Sequence, residues 1–239
     1  MALNGTRTAA EHPAIPTAPA QYAAEARASV AAGAGSIHVH VRDECGNESL
    51  ASEDVAETVE TIRGACPGVP VGISTGAWII PDLRERLAAI RSWIVLPDFA
   101  SVNLHEQGAT QVIQLLLDRG VGVEAGIWNA PAAYALVKSG FGDHCARILL
   151  EPAEATCSAK ANLLQMEAAL VGISPRRLLH GLGRCAWELV DLAGRRQYDT
   201  RVGFEDTLKL PDGTAATSNA QLVAAARQIV RKHWYSPMP

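Results

Sequence analysis

Short β-branched runs alternate with longer amphipathic stretches along the whole chain, and this alternation restricts the fold more than any other feature of the sequence. The strand-like runs are Ser36–Val41, Val69–Ile73, Phe99–Leu104, Val121–Ile127, Arg147–Glu151, Leu178–Gly181 and Thr200–Phe204, preceded by a very short one at Ala2–Asn4. Between them lie helical stretches at Ala20–Ala32, Glu53–Cys66, Pro81–Ile90, Gln107–Arg119, Pro131–Lys138, Ala155–Val171 and Ala186–Leu192, with Asn219–Lys232 closing the chain. Strand–helix–strand units pair their strands in parallel through right-handed crossovers. Eight of them predict an α/β fold, a (βα)8 TIM barrel, compact and single-domain over residues 1–239. An open doubly wound sheet is the competing arrangement. It leaves the last strand at an edge, whereas the polar residues there gain a use beside the first strands.

Local signals agree with several boundaries. Ser218 followed by Gln221 is a capping-box pattern ahead of Leu222, Val223 and Ala226. Pro13, Pro16 and Pro19 mark a stiff loop after the first run. The chain is 48% apolar, enough for a large core. Its net charge of -4 comes from mixed acids and bases, with no basic stripe for nucleic acid. No apolar run reaches membrane length, and Met1–Ala10 lacks the apolar core of a signal peptide. The cysteines are Cys45, Cys66, Cys145, Cys157 and Cys185, an odd, scattered set without a Cys-x-x-Cys pair. They point to a reducing cytoplasm and away from a thiolate zinc site.

The most informative segment is Gly35-Ser36-Ile37-His38-Val39-His40-Val41-Arg42-Asp43. Alternation along a strand sends Ile37, Val39 and Val41 one way and His38, His40 and Arg42 the other. Polar groups pointing into a core need partners. Two adjacent imidazoles suit a divalent metal; a pair of hydrogen-bonded structural histidines is the alternative. A third ligand is expected at the C-terminal end of another strand, and Glu205 in Arg201-Val202-Gly203-Phe204-Glu205-Asp206 supplies it, with Gly203 leaving space beside the metal; a solvated helix start at Glu205-Asp206 is the alternative. Two imidazoles and one carboxylate leave coordination positions open, the pattern of a catalytic zinc. Asp206, not needed as a ligand, can take a proton from the carbon next to a metal-bound carbonyl. Arg201 can grip a substrate carboxylate or hold the catalytic acid.

With these pieces together, the sequence resembles the β-keto acid cleavage enzyme family, first described as 3-keto-5-aminohexanoate cleavage enzymes. The matching pieces are Ala2-Leu3-Asn4-Gly5, Ala32-Gly33-Ala34-Gly35, His38-Val39-His40-Val41-Arg42-Asp43, Ser74-Thr75-Gly76, Ala100-Ser101-Val102-Asn103-Leu104, Arg201-Val202-Gly203-Phe204-Glu205-Asp206 and Ser218-Asn219-Ala220, in family order. The resemblance implies a (βα)8 barrel assembled as a homo-oligomer, usually a tetramer. It implies zinc on His38, His40 and Glu205, with acetyl-CoA as co-substrate for a small β-keto acid, giving acetoacetate and a new CoA thioester. Asp206 matches the carboxylate that removes the proton, Arg201 and Ser74 match residues that hold it and the substrate, and Glu124 matches one of two acidic positions on the fifth strand. Asn4, Arg42, Thr75, Gly76, Asn103 and His180 are the expected substrate-binding residues.

The departures cluster at the C-terminal ends of strands. Gly126 stands where the family has its second acid, His105-Glu106-Gln107 replaces a serine-rich turn, and Leu149-Leu150-Glu151-Pro152 replaces a glycine loop. Thr207 and Asp199 differ from the usual Asn and His, and the chain is short. Two other functions therefore stand beside the thioester-dependent cleavage. One is a zinc-assisted aldolase or decarboxylase of keto acids that uses no CoA. The other is a non-catalytic barrel serving as an interaction module, with no metal and an exposed apolar patch. A Schiff-base aldolase is disfavoured because Lys138, Lys160, Lys209 and Lys232 fall on helices or outer loops. Trp78, Trp93 and Trp128 are read as packing or subunit-contact residues.

Overall fold

A computed structural model describes residues 1–152 and 157–234. Seven parallel strands, β1 (Ile37–Val39), β2 (Val71–Ser74), β3 (Phe99–Asn103), β4 (Gly122–Ile127), β5 (Arg147–Leu150), β6 (Arg177–Leu179) and β7 (Asp199–Thr200), pair in sequence order. The helices are α1 (Pro19–Ala32), α2 (Ser52–Ala65), α3 (Leu83–Ser92), α4 (Ala109–Asp118), α5 (Ala130–Ser139), α6 (Cys157–Ala169), α7 (Ala186–Arg196) and α8 (Asn219–Trp234). The expected start of α6 at Ala155 lies outside the described residues. No described helix is long and apolar enough to cross a membrane.

The helices lie where their apolar faces and caps direct them. Val55, Thr58, Val59 and Ile62 recur at helical spacing and are buried on one face of α2. Asp82 caps α3 by accepting from the backbone N–H groups of Arg84 and Glu85, and Asn129 caps α5 by accepting from that of Ala132. Gly33, in the left-handed conformation at φ 111°, ends α1. The capping pattern at the start of α8 is present: Gln221 N donates to Ser218 Oγ, and Gln221 Oε1 accepts from Thr217 N. Ile37, Val39 and Val41 enter the main core with Tyr22, Ala26 and Val59. Burying each of these aliphatic side chains contributes about 1.5–3 kcal/mol.

The closed eight-stranded barrel expected from the alternation is not formed. The sheet is curled and barrel-like but open, with β1 and β7 as its end strands. Residues Met1–Leu3 lie along the free edge of β1, but they make a single bridge, Ala2 to His38, and no strand. His38 N donates to Met1 O (2.8 Å) and Leu3 N to His38 O (2.9 Å), while Ala2 N reaches Val202 O at 3.3 Å. The expected last strand, Thr200–Phe204, ends at Thr200. Beyond it the chain folds into a tight turn in which Asp206 N and Thr207 N both donate to Gly203 O. Gly203 is required there: a Cβ on it would stand 1.8 Å from the carbonyl oxygen of Ala2. The room left by this glycine is taken by the N-terminal backbone, not by space for a metal.

Candidate metal centre and active site

The turn after β7 and the end of β1 bring His38, His40 and Glu205 together. One ligand atom from each lies within 4.8 Å of the other two. His38 Nε2 is 3.6 Å from Glu205 Oε2, and His40 Nε2 is 3.7 Å from Glu205 Oε1. Ligand atoms around a tetrahedral zinc at about 2.0–2.2 Å stand about 3.3–3.6 Å apart, so each imidazole lies near metal-sharing distance of a Glu205 oxygen. The imidazole rings meet edge to face, with centroids 5.3 Å apart. Glu205 Oε2 is buried with no hydrogen-bond partner among the described residues, as expected of an oxygen that faces a cation. The donor set therefore fits a divalent metal.

Electrostatics agree with the geometry. Burial presses His38 down to about 3, so its lone pair is available at neutral pH. Burial acts in the same direction on His40, but the Glu205 and Glu48 carboxylates outweigh it and lift His40 to about 9. A bound cation would take the place of that proton. Burial opposes ionisation of Glu205, yet Arg201 and the two imidazoles hold its carboxyl well below the ordinary range.

Asp206 is fully buried beside this set. Arg201 Nη2 donates to both Glu205 Oε1 (2.8 Å) and Asp206 Oδ1 (2.9 Å), so one guanidinium nitrogen ties the two carboxylates together. His180 lies between two acids, its Nδ1 3.1 Å from Asp206 Oδ1 and its Nε2 3.2 Å from Glu151 Oε2. Burial and Arg201 lower His180, but Glu151 and Asp206 raise it further, to about 9. Burial would raise the Asp206 carboxyl; Arg201 and His180 hold it below its ordinary value. Its second oxygen, Oδ2, is buried without a hydrogen-bond partner among the described residues.

The other expected residues divide by what they touch. Asn4 pairs both ends of its amide with the His40 backbone, donating to His40 O and accepting from His40 N at 2.9 Å each. Arg42 donates to the backbone carbonyls of Gly5, Arg7 and Gly46. Both hold the N-terminal segment against the site. Ser74 ends β2 and accepts from Gly76 N (3.3 Å), which leaves its own hydroxyl hydrogen to donate. Thr75 Oγ1 donates to Ser101 O (2.7 Å). Gly76 lies under the Trp78 ring. Asn103 donates to Glu106 Oε1 (2.8 Å), and Glu106 Oε2 accepts from Ala77 N (2.9 Å), joining the loops after β2 and β3. A Cβ on Gly126 would stand 2.6 Å from Asn103 Oδ1, so Asn103 fills the space a side chain at 126 would need. Glu124 is fully buried and ion-paired with Arg147, one layer below Gly126 on β4.

Two residues at the site carry roles not assigned from sequence. Glu48 Oε1 is 2.5 Å from His40 Nδ1, and Glu48 Oε2 accepts from Trp78 Nε1 at 3.0 Å. Trp78, half exposed, stacks on the His40 ring with centroids 6.0 Å apart. The chain after β1 reverses through a turn with Gly46 at φ 85°, and Glu48 returns opposite Arg42. The Asp43-to-Asn47 turn residues were the available signal: a reversal there puts residue 48 near His40. Trp93, by contrast, is buried and donates to Leu50 O, as a packing residue should.

The model of the beta-keto acid cleavage enzyme family matches residues 1–238. This chain belongs to that family. Within it, the chain is similar to two proteins named 3-keto-5-aminohexanoate cleavage enzyme. One is from Fusobacterium nucleatum subsp. nucleatum, 27% identical over 97% of this chain and 90% of the relative. The other is from Acetoanaerobium sticklandii, 25% identical with the same coverage. At this identity the chain is a diverged family member. Among solved structures, a binary complex of ObcA with oxaloacetate superposes with a TM-score of 0.71 at 15% identity; the match covers 90% of this chain and 63% of ObcA. The 3-dehydroquinate dehydratase of Aquifex aeolicus VF5 gives 0.57 at 11%, over 90% of this chain and 95% of that one. These two likenesses establish the barrel-like fold alone.

A carboxylate on the far nitrogen of a ligand histidine fixes its tautomer and strengthens it as a donor. For this family member, Glu48→Gln is expected to weaken divalent-metal affinity about 10–100-fold. Competition against a chromophoric chelator measures this, and unchanged affinity would remove Glu48 from the metal centre.

Proposed function

We propose that this chain catalyses zinc-dependent cleavage of a β-keto acid with acetyl-CoA. The acyl group leaves on CoA, and the methylene carboxylate fragment joins the acetyl group as acetoacetate. The observation that carries this reading is the clustered His38–His40–Glu205 donor set, with the free Asp206 Oδ2 beside it in a chain of this family. Zinc held there would draw electron density from the substrate carbonyl and acidify the adjacent carbon.

The residues around it supply the rest. Asp206, ionised by its partners, accepts the proton at Oδ2, while Arg201 and His180 fix Oδ1 and so aim the free oxygen. Ser74 donates its hydroxyl hydrogen to a substrate oxygen at the end of β2. Asn4 and Glu48 set the direction of His40 from its backbone and its ring. Glu124 acts from below through Arg147 and is a supporting group. The substrate class follows the names of the two curated relatives, which act on a short 3-keto acid. Asn103 and Gly126 line up on adjacent strands, and the neutral amide there in place of a second acid shapes which acyl chain is accepted.

The test is metal content and product formation on short β-keto acids, with and without acetyl-CoA. About one zinc per chain, and acetoacetate plus a new thioester only when acetyl-CoA is present, are expected. A metal-free, inactive protein would overturn the proposal. Turnover without thioester would instead assign an aldolase or decarboxylase on the same residues.

A further inference from the structure

At the end of the sheet opposite the metal centre, a cavity of about 650 Å³ opens between the N-terminal ends of the strands, the Gly33–Gly35 segment after α1, and helix α8. Residues that begin or just precede strands, among them Ser36, Pro70, Phe99 and Arg147, form its floor. Phe99, Val223 and Val230 give it an apolar lining, and four arginines, Arg147, Arg176, Arg227 and Arg231, also face it.

The charges there do not cancel. Arg176 is neutralised by Asp199, which also lines the cavity (2.8 Å). Arg147 is paired with Glu124 behind the wall and lies over the Phe99 ring, 4.4 Å from its centroid. Arg227 and Arg231, one turn apart on α8, have no acidic partner among the described residues. The Arg227 guanidinium reaches only as far as a long bond to Ala32 O (3.5 Å) among the described residues, lying over the bare Cα of Gly33. Two exposed arginines alone would be an ordinary helix surface. Here they border an apolar hollow whose inner wall holds a third guanidinium on an aromatic ring. That combination selects a head group with negative charge and a body that leaves water.

We propose that this basal cavity binds an amphiphilic organic anion. A carboxylate or phosphate head is held by Arg227 and Arg231, and an apolar chain lies toward Phe99 and Val223. The site is separate from the metal centre and does not depend on the reaction assigned there.

Calorimetric titration of the metal-loaded protein tests the assignment. The probes are acetate, butanoate, hexanoate and octanoate, together with inorganic phosphate and hexyl phosphate. Affinity should rise with chain length, by up to about fourfold per methylene, and the short anions should bind least. The Arg227→Ala/Arg231→Ala double variant should bind at least about tenfold more weakly, with an unchanged melting temperature because both side chains are exposed. The Glu205→Gln variant should keep the binding, which places it away from the metal ligands. The stronger of hexanoate and hexyl phosphate identifies the head group, and either one supports the site. Length-independent binding, full binding by the double variant, or loss of binding in Glu205→Gln would each overturn the proposal.

Discussion

Replacing Asp206 with Asn is expected to slow turnover on the order of 10³-fold while the divalent metal stays bound. The amide oxygen can still accept from Arg201, as Oδ1 does now at 2.9 Å, and stay beside His180 Nδ1, 3.1 Å away. The group at the position of Oδ2 becomes an NH2, which cannot take a proton. Glu205 keeps its own contact with Arg201 (2.8 Å), so the metal ligands should hold their arrangement. The decisive pair of measurements is zinc content and turnover number on the same preparation. Loss of metal would make Asp206 part of the coordination, and undiminished turnover would leave the proton acceptor elsewhere.

The second large effect is structural. Gly203→Ala puts a methyl group 1.8 Å from the Ala2 carbonyl oxygen and 3.0 Å from the Ala2 nitrogen. These are backbone atoms, so no side chain can swing away to relieve the clash. The N-terminal segment would have to shift, losing bonds to His38 and Val202 and the one that Asn219 Nδ2 donates to Leu3 O. A destabilisation of about 3 kcal/mol is expected, which for a chain of this size lowers the melting temperature by about 6–12 °C. Metal affinity should fall with it, because Asn4 on the same segment holds the His40 backbone. Gly35→Ala is the control: nothing lies within 4 Å of a Cβ there, and it should melt with the parent. A Gly203→Ala protein that also melts with the parent would mean the segment is not seated against this turn.

Period-two alternation sufficed to turn His38 and His40 into one interior while Ile37 and Val39 joined the helix-facing core. The Glu-Asp pair after the last strand was equally readable, because two carboxylates with Arg201 have few other uses in a parallel sheet. Sheet closure was not readable. Whether residues 2–4 form a strand depends on ladder partners 36 and 200 residues away, and here only one rung forms. Glu48 and Trp78 were missed for a related reason: their contact with His40 exists only once the turn at Gly46 has brought the chain back. Asn219 was visible as a conspicuous Ser-Asn-Ala but without a role. In the structure its side chain accepts from Phe204 N and donates to Leu3 O, linking the turn that carries Glu205 to the N-terminal segment.

The seating of Met1–Leu3 between β1 and Val202 also orders events during synthesis. The seating of this segment, and the carboxylate that completes the metal set, depend on residues 202–219, which leave the ribosome long after residues 1–40. A nascent chain that ends before residue 202 would carry its two histidines without their third ligand, and its N-terminal segment would lack one of the two surfaces that hold it. Capture of a metal ion by the full donor set would then be a late event, and an ion gripping residues 38, 40 and 205 would act as a clasp between the two ends of a finished sheet.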